Sequence, residues 1–230
     1  MSSNDGPFVF EPAALDDRAA FEQALQAAEA RRAALPVDAP PVERARADLD
    51  IAEAQSGLGQ QEAAWNLARA AFDVFVEHEA WQDAVEACEV MYRTEQPACL
   101  VALAHGVWLA VTYPIAPQTT VTMLNYIIEE TPPQADGAAV AAAAAHYIAG
   151  VRADDHEFES LTFLTRNMLV RVAERHSNVN SQEALDAWMA RLELNDPERF
   201  LKRLGMVVEA IAGGQWWIDR DALRARLPDQ

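Results

Sequence analysis

Lysine, glycine, cysteine and positive charge are all scarce in this sequence. The chain of 230 residues has 36 acidic side chains against 18 basic ones, of which only Lys202 is lysine, for a formal charge of -18. A surface of that sign repels a polyanion, because phosphate binding needs clustered cations that displace counterions; nucleic acid is excluded as a partner class. Two cysteines, Cys88 and Cys99, are too few for a disulfide framework or a thiolate zinc site. With 9 glycines in the whole chain, little remains of the turn chemistry that strand-rich folds draw on. The opening residues offer neither a cationic stretch nor an apolar one of the kind a secretory signal needs, so a cytoplasmic location is expected.

Alanine fills the space these absences leave, with 46 residues, and it is the best helix former. Heavy Ala and Arg use beside a single Lys is the composition a GC-rich bacterial genome produces. Hydrophobic residues make up 51% of the chain, enough to build a sizeable core and too many for a disordered chain. The expected fold is all-α: about ten helices arranged as antiparallel α-hairpins, as a superhelix or a compact bundle, with a short extended segment near the C-terminus. Residues 1–12 read as a flexible N-terminal segment and 13–230 as one domain. The loop Thr131–Gly137 offers a subdivision into an acidic half, 13–130, and a C-terminal half, 138–230.

Caps and periods mark the helices. Pro41 suits a first helical turn, where its missing N–H is an orphan in any case. Ala64, Leu67, Ala68, Ala71, Phe72 and Phe75 recur at helical spacing. Thr119 and Thr120 offer caps for a helix carrying Val121, Leu124 and Ile127, and Asn180 with Glu183 reads as a capping box. Asp196-Pro197-Glu198 is a strong start, and Gly213-Gly214 a strong stop.

The small residues Ala52, Gly59, Ala64, Ala68 and Ala71 resemble one tetratricopeptide unit, over about residues 44–93. The resemblance implies an array of α-hairpins in which small residues let antiparallel helices approach. It departs from the family where Asp48 stands in place of a large aromatic, and where the next small pair, Ala84 with Cys88, follows Ala64 after 20 residues.

Charge is distributed unevenly. Between Arg93 and Arg152 there is no Lys or Arg, and only Glu95, Glu129, Glu130 and Asp136 are charged. Within this gap lie Ala98–Tyr113, apolar all round, and the tract Ala138–Ala145, all alanine except Val140. A helix apolar on every side is covered on every side. Both segments fall short of the ~20 apolar residues with cationic flanks that a membrane span uses, so both are assigned to the core.

Candidate sites are few. His105 and His146 are the two histidines inside the gap, beside Trp108 and Tyr147; converging, they could hold a metal or cofactor or exchange protons. Separately, each needs only a backbone carbonyl or a hydroxyl. No Glu stands three residues before a histidine, so the ligand set of a carboxylate-bridged two-metal bundle is missing. Asp154-Asp155-His156-Glu157-Phe158-Glu159 superficially resembles the aspartate-rich motif of isoprenoid synthases, but Phe158 stands where a third acid belongs, and the run suits a helix start. Neither a phosphate-cradling Gly-rich loop nor a Gly-x-Ser-x-Gly elbow occurs. Trp216 and Trp217, adjacent in the extended segment, and Trp81 are candidate partner anchors.

The expectation is therefore a cofactor-free interaction module: an adaptor, assembly chaperone or accessory subunit that meets a basic or apolar surface of a protein partner, with room for self-association. Alternatives are a metal- or cofactor-dependent enzyme or carrier centred on His105 and His146, and an acidic mimic of nucleic acid.

Overall fold

The computed structural model describes residues 15–227, so the expectation for residues 1–12 lies outside the described residues. It is all-α, with eleven helices among the described residues. They are α1 (Leu15–Ala34), α2 (Pro41–Gly57), α3 (Gln61–Glu77), α4 (Trp81–Arg93), α5 (Cys99–Thr112), α6 (Pro117–Glu130), α7 (Asp136–Arg152), α8 (Phe158–Ser177), α9 (Gln182–Arg191), α10 (Pro197–Ala212) and α11 (Arg220–Arg224).

Every helix from α1 to α8 packs against the next, as short connections between antiparallel neighbours require. The even helices also meet one another in order, α2 with α4, α4 with α6 and α6 with α8. The odd helices α3, α5 and α7 do not meet. The molecule therefore has a continuous even row and an odd row with gaps, and it is the odd row that the C-terminal part of the chain covers. Helix α10 lies across both α5 and α7, and the segment after it inserts Trp216 and Trp217 between α3 and α5.

This return of the chain explains the charge gap. An outer helix of a two-row array would have one face in water; α5 has none, because α4, α6 and α10 surround it and the tryptophans cover what remains. Every residue from Val101 to Ala110 is buried, His105 included. The alanine tract of α7 is buried throughout for the same reason, lying against α6, α8 and α10. Without side chains beyond Cβ its neighbours approach the backbone closely. Gly106 makes a similar approach possible between α5, α4 and α6. A Cβ there would fall 2.3 Å from Met123 Cε and 2.8 Å from Cys88 Cβ.

Arg152, which ends the gap, closes α5. Its guanidinium donates to Ala110 O at 2.8 Å and Val111 O at 3.0 Å, carbonyls in the last turn of α5 that have few intrahelical partners. Burial lowers its pKa.

Several helix starts match their sequence signals: Asp196 accepts from Glu198 and Arg199, and Gly213 terminates α10 in a left-handed conformation at φ 56°. Others differ. Helix α6 begins at Pro117 with no side-chain cap, so Thr120 lies inside the helix and bonds back to Ala116 O at 3.2 Å. The cap of α9 is Ser181, whose hydroxyl accepts from Ala184 N at 3.2 Å, one residue later than the Asn180 reading. Among the described residues no helix is long and apolar enough to cross a membrane.

Candidate functional site

His105 sits where the C-terminal return meets α5. Its Nδ1–H donates to Val101 O at 2.7 Å, and its bare Nε2 accepts the backbone N–H of Trp217 at 2.8 Å. The imidazole stacks on the Trp217 indole at 4.4 Å and 22°, and Trp216 and Phe72 flank it at 4.8 Å and 5.8 Å. Two guanidiniums close the stack from outside: Arg69 over Trp217 at 4.4 Å, and Arg220 over Trp216 at 3.7 Å. Asp73 lies against Arg69 as a charge pair without hydrogen-bond alignment, and Glu209 pairs with Arg220 at 2.8 Å.

Burial pushes the His105 pKa down to about 4; the Val101 bond opposes this, and Arg69 and Arg220 add to it. With one nitrogen donating and the other accepting, the neutral ring has no lone pair left for a metal or a substrate proton. His105 acts as a latch.

His146 lies elsewhere. Its Nδ1 meets Thr165 Oγ1 at 3.0 Å between α7 and α8, and burial, then Arg166, lower its pKa. The structure does not bring His105 and His146 together, and among the described residues no group of three metal-ligating side chains forms. Of their aromatic neighbours, Trp108 is buried beside Trp216 at 6.5 Å, while Tyr147 is 39% exposed with its edge on Phe200. Trp81 stacks flat on Tyr113 at 4.0 Å and is half-buried. Trp216 and Trp217 are also half-buried, and their rings are turned toward the stack around His105.

A second polar node joins α7, α8, α9 and α10. His176 Nε2 meets Asp136 Oδ1 at 3.2 Å, and Nδ1 meets Ser177 Oγ at 2.7 Å. Serine, imidazole and carboxylate in that order are the components of a hydrolase triad. Here, however, the same Nδ1 also accepts the Trp188 indole N–H at 3.2 Å, and Arg203 holds the other Asp136 oxygen at 2.8 Å. The node is a joint.

The open, charged surface is the even row. Arg46 on α2 is held by Asp50 of its own helix and by Asp83 and Glu86 of α4, at 2.8 Å and 3.1 Å for the aspartates. Burial alone would lower the Arg46 pKa, but its hydrogen bonds to Asp50, Glu86 and Asp83 outweigh that and raise it. Further along, Tyr126 on α6 donates to Glu89 on α4 at 2.9 Å, and Tyr92 on α4 donates to Glu130 on α6 at 2.7 Å. Burial, then the neighbouring carboxylates, raise both tyrosine pKa values. A groove of about 200 Å³ runs past Arg46, Glu53, Glu86, Glu89, Arg93 and Thr119. A wider one of about 540 Å³ follows between α6 and α8, at Asn125, Glu129, Met168, Arg171, Glu174 and Arg175.

This face escaped sequence reading because its carboxylates come from three helices. The signal available was the repetition of Glu at Glu86 and Glu89 and at Glu129 and Glu130, on helices that otherwise bury their apolar stripes. No family model, curated protein or solved structure matches the chain.

Proposed function

We propose that the protein is a non-enzymatic interaction module, an adaptor or accessory subunit that takes a basic segment of a partner protein along its even row. The observation supporting this reading is the treatment of Arg46: three carboxylates from two helices converge on one guanidinium at the surface. A face that holds its own arginine in this way offers the neighbouring Glu53, Glu89, Glu129 and Glu130 to arginines or lysines of another chain. The net charge of -18 speeds the approach of such a segment.

Binding of a labelled peptide rich in Arg and Lys, followed by fluorescence anisotropy, tests the reading. The expected result is saturable binding that weakens with added salt and falls roughly tenfold in a Glu53→Gln, Glu89→Gln, Glu129→Gln variant. Binding that is indifferent to those three substitutions, or equal binding of an acidic peptide, overturns it.

A further inference from the structure

Helix α8 ends the even row, and among the described residues its outer face is open around Phe163, with the start of α9 coming near it only at the Val170 end. The side toward Leu161, Thr165, Leu169 and Val172 is buried against α7, while Phe163 is 66% exposed, Leu164 51% and Val170 40%. Large apolar side chains grouped on one open helix face mark an interaction surface. The charges flanking this stripe indicate what covers it. Acids precede Phe163, with Asp155 in the turn before the helix and Glu159 in its first turn. Arginines follow it, at Arg166 and Arg171. Among the described residues none of these four belongs to an ion pair of its own chain.

Such a face is complementary to itself when reversed. Glu159 lies four residues before Phe163 and Arg166 three after it, while Asp155 and Arg171 lie eight before and eight after. We infer that two copies of this chain pair through α8 in antiparallel fashion about a two-fold axis near Phe163. Each copy then sets Glu159 opposite its partner's Arg166 and Asp155 opposite its partner's Arg171, with the two Phe163 rings meeting at the axis. An isologous contact of this kind closes as a dimer. It goes beyond the proposed function, and its test rests on Glu159, Phe163 and Arg166, none of which lines the grooves beside Glu53, Glu89 and Glu129, so basic-peptide binding at α2, α4 and α6 survives its loss.

Sedimentation equilibrium of the full chain, from about 1 to 200 µM, tests the pairing. The wild type is expected to dimerise. Phe163→Glu, Arg166→Glu and Glu159→Arg should each weaken self-association roughly tenfold or more, with unchanged circular dichroism. The decisive step is mixing: R166E with E159R restores both charge pairs, and a heterodimer should re-form where neither variant pairs with itself. A wild type that stays monomeric throughout, whatever else binds α8, overturns the inference. So does a dimer indifferent to Phe163→Glu, or a mixture that fails to associate.

Discussion

The two rows of helices solve opposite problems with the same kind of hairpin. In the odd row, α5 from Val101 to Ala110 and the alanine tract of α7 are buried and carry no charge, and α5 depends on a residue more than a hundred positions away in sequence to complete its cover. In the even row, neighbouring helices touch directly, so each helix needs only an inward stripe and can give its outer face to carboxylates and tyrosines. Where adjacent helices close the row, the surface is free to carry charge. Where they leave gaps, the chain must return to fill them.

Substitutions should separate the rows by magnitude. The largest loss is expected for Trp217→Ala, which removes the ring stacked on His105 and edge-on to Trp65 and Phe72. Chemical denaturation should register about 4 kcal/mol, in the range of aromatic-to-alanine changes in cores. A cost below ~1 kcal/mol would mean that the C-terminal return is not what seals the odd row.

Acid should act next. The His105 pKa is about 4 folded, against an ordinary unfolded value of 6.5, so between those values the unfolded chain binds the extra proton. The stability owed to the neutral ring is therefore complete above pH 6.5, declines as pH falls toward 4, and amounts to about 3 kcal/mol. The difference between wild type and His105→Asn, followed across this window, isolates the effect from the carboxylates. A difference independent of pH would remove the latch.

Gly106→Ala follows, at about 2 kcal/mol, because Met123 and Cys88 must give way to the new methyl group. Smallest is Glu130→Gln in the even row. It weakens one exposed hydrogen bond from Tyr92 and should change stability by no more than about 0.5 kcal/mol.

The contrast between the rows also explains what could be read from the sequence. Class and helix order were legible because they rest on local signals: proline at the start of α2, the Asp196 cap, the Gly213 stop, and apolar spacing in α3. The enclosure of α5 was legible as an absence of charge. What enclosed it was not, since the Val101 and Trp217 partners of His105 are ordinary until the fold sets one of them beside a ring 112 residues away. Where Asn180 and Ser181 compete for one cap, adjacent polar residues satisfy the same rule and only backbone direction chooses. The carboxylate face has no period within any single helix, so it emerges only when α2, α4 and α6 are side by side.

The bond between His105 and Trp217 also imposes a schedule on synthesis. At about 5–20 residues per second, a ribosome needs on the order of ten seconds to travel from one to the other. For that interval α5 lacks the tryptophans that complete its cover, although α6 and then α10 emerge before them. Slow codons or a stalled ribosome between the two positions would lengthen this exposure, so the yield of native protein in the cell should depend on how quickly the second half of the message is read.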